Sequence, residues 1–145
     1  QDPDVIMIGE IRDSATASLA IQAAQTGHLV LSTLHTRNAR GALARLKNLG
    51  VDQESLESCL HSVSSQRLVR KLCQTCKGGV LDPLPNTCKY CKGSGYLGRI
   101  GIHEVLSGPD LFDPSSSFLS IRDAGMRHIN EGLIDRAMLA NEVCI

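Results

Sequence analysis

Four cysteines in two C-x2-C pairs eleven residues apart, Cys73, Cys76, Cys88 and Cys91, constrain this chain more than any other feature. That spacing gathers four thiolates with the geometry of a closed tetrahedral zinc site. With every coordination position filled by protein, the expected role of the metal is structural: it staples a segment too polar to fold by burial. Disulfides are the competing use, disfavoured in a reducing compartment, and a redox C-x-x-C needs only one pair at a helix start. Cys59 and Cys144 fall outside the pattern and are expected to be small buried hydrophobes.

The remainder of the chain has to build an ordinary core from aliphatic side chains. Apolar residues make up 42% of its 145 positions, yet there is no Trp and only two Phe and two Tyr. So few aromatics argue against stacking platforms for single-stranded nucleic acid. Lys plus Arg match Asp plus Glu at 15 each, which leaves no global field for a polyanion or an acidic membrane surface. Arg67, Arg70, Lys71, Lys77, Lys89 and Lys92 are locally basic and read as a solvated surface around the cysteines. No stretch approaches the roughly 18 apolar residues of a membrane span, and no basic, apolar, small-residue leader opens the chain, so the expected location is cytoplasmic. Because it begins at Gln1 rather than Met and enters a strand at once, the chain reads as a segment of a longer protein.

Val5, Ile6, Met7 and Ile8 form an unbroken apolar run that suits a strand buried on both faces of a parallel sheet. A helix signature follows, with Asp13 or Ser14 as cap, Ala17, Ala20, Ile21 and Ala24 on one face, and Gly27 as the stop. Residues 29–34 make a second apolar run, ending at His35. Strand, helix and strand within about 30 residues define a βαβ unit, whose crossover makes the strands parallel. Asn38 then caps a helix striped by Ala39, Ala42, Leu43, Leu46 and Leu49, and residues 54–72 read as another, with Leu56, Leu60, Val63 and Arg67 along its seam. Composition shifts at Cys73 to Cys, Gly, Lys and Pro until Gly95. Strand character returns over 96–106, a Gly, Pro and Ser loop covers 107–117, and 121–140 reads as helix.

Ligands of open parallel sheets sit beyond the carboxyl ends of the strands. Glu10 and His35 each lie just past one such end, so the unit's geometry brings them to one rim. An apolar strand followed by Gly9 and Glu10 is a Walker B-like arrangement, in which a carboxylate leaves a dry strand where magnesium and an attacking water would be held. The more ordinary reading of either residue alone is a solvated loop acid and a hydrogen-bonded surface imidazole; Arg12 and Asp13 likewise read as a salt bridge and a cap. His28 precedes the second strand, about 23 Å from His35 along an extended chain, so the two histidines are not expected to share a metal.

Taken in order, "DPDVIMIGEIRD", "TGHLVLSTLHT", "QRLVRKLC", the paired cysteines and "GYLGRIGIHEVL" resemble the secretion ATPases of type II secretion and type IV pilus assembly. The resemblance runs through about Leu106. It implies the C-terminal part of a RecA-like P-loop domain, a parallel βαβ α/β fold with a small tetracysteine zinc subdomain and C-terminal helices. On this reading residues 1–72 belong to the ATPase core, 73–95 to the zinc subdomain and 96–145 to a return strand, loop and helices. Implied with it are ATP, Mg²⁺ and structural Zn²⁺, a homo-hexamer at the cytoplasmic face of the bacterial inner membrane, and inner-membrane secretion or pilus assembly proteins as partners, with no nucleic acid. Glu10 matches the family's atypical Walker B carboxylate, His28 and His35 its His box, with His35 at the γ-phosphate, and Cys73, Cys76, Cys88 and Cys91 its zinc ligands. Retraction ATPases of the same superfamily resemble the chain less, because they lack the zinc insertion.

The departures carry information of their own. Ala15 stands where the family commonly has an acid, and the chain is shorter than the family pattern after Leu106. No G-x-x-x-x-G-K-[ST] phosphate loop occurs in the sequence, so the backbone N–H groups that cradle phosphates are missing and the segment alone is expected to be inactive. A reading of another class makes the zinc region a protein-interaction module docking a membrane partner, since "CKYCKGSG" has the C-x-x-C-x-G-x-G form of DnaJ-type cysteine-rich regions. A nucleic-acid-binding zinc ribbon is the third reading, opposed by the neutral charge and scarce aromatics.

Overall fold

The computed structural model describes residues 3–79 and 88–143. Cys144 and most of the link between the cysteine pairs lie outside the described residues. Elements follow in the order β1 (Val5–Ile8), α1 (Ser14–Gln25), β2 (Leu29–Ser32), α2 (Ala39–Asn48), α3 (Gln53–Cys59), β3 (Ser62–Leu72), β4 (Tyr96–Ser107), α4 (Ile121–Asn130) and α5 (Arg136–Glu142). Contacts divide the chain into two compact units. One comprises residues up to Ser64 with Val105–Phe118; the other comprises Ser65–Glu104 with residues from Leu119 onward.

In the first unit β1 and β2 pair in parallel, from Val5 opposite Leu29 to Ile8 opposite Ser32. The α1 crossover joins them, opened by Asp13, whose carboxylate accepts the N–H of Thr16 at 2.8 Å. Ala17 and Ala20 turn inward and meet Ile11, Leu46, Val51 and Leu56, with Ile8, Ile21 and Val30 against them. Small side chains on α1 let the helix lie close over the sheet. Only that face is covered. Val5, Met7, Leu29 and Leu31 on the other are 51%, 79%, 57% and 51% exposed, so the expected burial on both faces is not met among the described residues. A second apolar group, Ala39, Leu106 and Leu111 with Phe112 and Phe118, lies under the 108–118 loop. Arg40 pins that loop by donating to the carbonyls of Asp113 and Ser116 and stacking 5.0 Å from the Phe118 ring centroid.

Residues 54–72, read as one helix, divide instead. α3 ends at Cys59 and β3 begins at Ser62. Along β3 the less exposed positions are Val63, Ser65, Arg67, Val69 and Lys71, a two-residue period. The backbone partner that holds this strand is β4, more than twenty residues downstream and therefore invisible to local periodicity. The helical stretch read over 121–140 is also two helices, broken at Gly132, which takes φ +67°.

In the second unit Val69 and Ile102 pack with Ile121, Ala124, Ile134 and Leu139. Glu104, only 3% exposed, accepts the N–H of Ile121 at 2.9 Å, so a buried carboxylate on β4 meets the positive end of α4. Leu72 donates its N–H to Leu133 at 2.7 Å, and the Tyr96 hydroxyl donates to the Asp135 carboxylate, a bond that raises the phenol above its ordinary range. The helices α4 and α5 approach closely at Gly125. A Cβ built there falls 2.2 Å from Leu139 Cδ1.

That contact makes a measurable pair. Gly125→Ala is expected to destabilise the second unit by about 1–3 kcal/mol through overpacking, and Leu139→Ala by about 2–5 kcal/mol through the cavity it leaves. Urea denaturation of the double variant is expected to show a loss smaller than the sum, because the new methyl enters the vacated space; strict additivity would disprove the contact.

Candidate active site and metal centre

The rim is built by continuing the parallel ladder beyond its last strand pair. Ile11 donates its N–H to the Thr33 carbonyl at 3.0 Å, and the Thr33 hydroxyl donates to the Gly9 carbonyl at 2.7 Å. Ile11 is buried, anchoring the segment that carries Glu10. Both carboxylate oxygens of Glu10 are engaged. Oε1 lies 3.0 Å from His35 Nε2, and Oε2 accepts from Arg12 Nε at 2.6 Å, with a terminal guanidinium nitrogen also at 2.6 Å. Glu10 itself is largely covered, at 20% side-chain exposure, whereas His35 and Arg12 stand open at 85% and 76%. Arg45 on α2 donates to the Arg12 carbonyl at 3.0 Å, fixing the backbone from below.

The two residues expected to share the rim therefore meet in direct contact. His28 takes no part: its Nδ1 lies 3.0 Å from the Ala23 carbonyl and 3.1 Å from the Thr26 hydroxyl at the end of α1. The salt bridge expected of Arg12 is present, with a partner that sequence reading did not name. Asp13 caps α1, as expected, but the salt bridge of Arg12 goes to Glu10. The available signal was spacing, because side chains two apart on an extended segment share a side.

The four Sγ atoms of Cys73, Cys76, Cys88 and Cys91 all lie within 4.8 Å of one another. Sulfurs are 3.8 Å apart between Cys73 and Cys88 and 3.7 Å between Cys76 and Cys91. Tetrahedral zinc with bonds of about 2.3 Å requires sulfur edges of about 3.8 Å, so the donor set fits the ion in element and in size. Backbone donors support thiolates here. The N–H of Cys76 foremost, then that of Thr75, pulls the Cys73 thiol down to about 6. At Cys91 burial pushes the thiol up, but the N–H groups of Gly95 and Gly93 and the neighbouring thiols outweigh it and the net direction is down. Cys59 is half-buried and lies 3.4 Å from the Ser58 hydroxyl, so it is less enclosed than the sequence implied.

Residues 1–138 match the family model described as type II/IV secretion system protein. The protein transport protein HofB homolog of Haemophilus influenzae is 47% identical over 135 residues, covering 93% of this chain and 28% of the relative. Type II secretion system protein E of Dickeya dadantii is 48% identical, covering 73% and 24%, and the type IV pilus assembly ATPase PilB of Thermus thermophilus is 46% identical, covering 73% and 14%. The chain thus spans between 14% and 28% of the length of these relatives. Among solved structures, the Legionella pneumophila ATPase DotB shares the fold at a TM-score of 0.67 and 21% identity, over 94% of this chain and 37% of that one. The Yersinia pseudotuberculosis ATPase DotB does so at 0.68 and 22%, over 96% and 36%. Matched over nearly its whole length by the family model and close to half identical to curated members, the chain belongs to the type II/IV secretion system protein family.

Proposed function

We propose that this chain is the carboxyl-side part of a hexameric ATPase that powers assembly of a type II secretion pseudopilus or a type IV pilus. The observation that carries the reading is the contact between Glu10 and His35, 3.0 Å apart at the carboxyl ends of two parallel strands. A carboxylate restrained on both oxygens keeps its position when charge develops nearby, which is the preorganisation that phosphoryl transfer needs. Glu10 orients the attacking water and accepts its proton. His35, open to solvent and held at Nε2 by Glu10, offers Nδ1 to the terminal phosphate and senses its loss. Glu10 is the carboxylate that would face Mg²⁺, which would supply neutralisation of the charge developing on the phosphates. The phosphate loop is supplied from outside this sequence, and the segment by itself is inactive. Zinc at the four cysteines is structural. The whole works at the cytoplasmic face of the inner membrane on secretion or pilus assembly proteins there; among the described residues no helix is long and apolar enough to cross a membrane.

The catalytic assignment is tested in a chimera in which this chain replaces the matching segment of the Thermus PilB ATPase. Glu10→Gln is expected to lower kcat for ATP by about 100-fold or more, with KM little changed. Hydrolysis at the parent rate would end the assignment.

Metal analysis of the purified chain is expected to find about one zinc per molecule, falling below roughly a tenth in Cys88→Ser. In hydrogen exchange, chelation should strip protection from residues 73–79 and 88–95 while leaving α1 and β2 protected. If protection survives chelation, the metal does not organise this segment. A docking role for the same subdomain is favoured by Tyr90, 64% exposed on the cysteine knuckle.

A further inference from the structure

Among the described residues, only two other than glycine adopt the left-handed region, Lys77 at φ 48° and Lys92 at φ 53°. They occupy the same place in two copies of one motif, Cys73-x-x-Cys76-Lys77-Gly78 and Cys88-x-x-Cys91-Lys92-Gly93. Each donates its N–H to the carbonyl of the first cysteine of its pair, at 2.8 Å for Lys77 to Cys73 and 2.9 Å for Lys92 to Cys88. Each is followed by a glycine that is also left-handed, at φ 73° and 81°. The turn bends the chain around the sulfur cluster and directs backbone N–H groups at it, those of Gly93 and Gly95 facing Cys91.

A Cβ is disfavoured in this conformation and glycine is not. Glycine already stands next door in both arms, so the turn gives no reason for lysine to occupy the strained position twice. The metal centre does. Four thiolates around a divalent zinc carry a net charge of roughly −2, and the cysteines are buried, where an uncompensated charge is costly. The knuckle segments 73–79 and 88–95 contain three lysines and no Asp or Glu. Neither Lys77 nor Lys92 forms an ion pair with a carboxylate among the described residues. Lys77 Nζ donates instead to the neutral amide oxygen of Gln74, at 2.6 Å.

We propose that Lys77 and Lys92 are held in the left-handed conformation for their ammonium groups, which offset the negative charge of a zinc tetrathiolate at Cys73, Cys76, Cys88 and Cys91. The inference rests on the reading that this cluster holds zinc. Asn tolerates the left-handed region, so the double variant Lys77→Asn/Lys92→Asn keeps the turn and removes both charges. Lys77→Arg/Lys92→Arg keeps both charges without easing the backbone.

Zinc affinity of the chain is measured by competition with a chromophoric chelator at about 20 mM and about 500 mM NaCl. The Asn pair is expected to bind zinc about tenfold more weakly than wild type at low salt, the gap closing to about twofold at high salt as ions screen the lysines. The Arg pair stays within about twofold of wild type throughout. An Asn pair that matches wild type at low salt overturns the proposal, as does a loss that is independent of salt and shared by the Arg pair, which would make the lysines part of the turn alone. A wild-type chain that takes up no zinc overturns the zinc reading itself, and this inference with it.

Discussion

Parallel pairing of β1 with β2 is the constraint from which the candidate active site follows. A four-residue ladder, Val5 opposite Leu29 through Ile8 opposite Ser32, aligns two carboxyl termini that lie 24 positions apart in the chain. Antiparallel pairing would send Glu10 and His35 to opposite ends; a one-residue slip would turn one of them to the other face. Register is secured from both ends. Leu29 donates to the Asp4 carbonyl at 3.0 Å before the ladder, and Ile11 donates to Thr33 beyond it. The small inward residues of α1 supply the cover that keeps the unit together, so the placement of a carboxylate and an imidazole depends on alanines that touch neither.

The second unit solves a different problem. The knuckle segments are made of Cys, Gly and Lys with one each of Gln, Thr, Ser and Tyr, too little apolar surface to offset the entropy of ordering them. Four buried sulfurs act in place of a hydrophobic core. Order then passes outward by hydrogen bonds: Cys73 donates to the Gly95 carbonyl at 2.8 Å, Leu72 to Leu133 at 2.7 Å, and Tyr96 to Asp135 at the start of α5. Geometry set around the cysteines is thereby linked to the last helix, and Glu104 ties β4 to α4 by the same means.

Where sequence was legible, the governing physics was local. Asp13 and Asn38 cap the helices they were expected to cap, and the cysteine spacing anticipates the cluster because ligand geometry tolerates few alternatives. Where it was not legible, the decisive partner was distant. Leu56, Leu60 and Val63 imitate a helical seam, but β4 recruits the chain after Leu60 into a strand. Glu10 and His35 were readable as neighbours because one crossover fixes both, whereas the grip of Arg12 on Glu10 depends on how the backbone turns after Gly9. A resemblance carried by ordered motifs contributed what local physics does not: the family to which that rim belongs.

The open side of the β1–β2 ladder remains. Val5, Met7, Leu29 and Leu31 form one greasy tile, and a two-stranded sheet has little stability to spare for leaving it wet. The formal charge of the chain sums to zero, so copies in dilute buffer have little mutual repulsion to hold their tiles apart. Self-association of the chain in dilute buffer is therefore expected to involve that tile and to be indifferent to the chemistry at its rim.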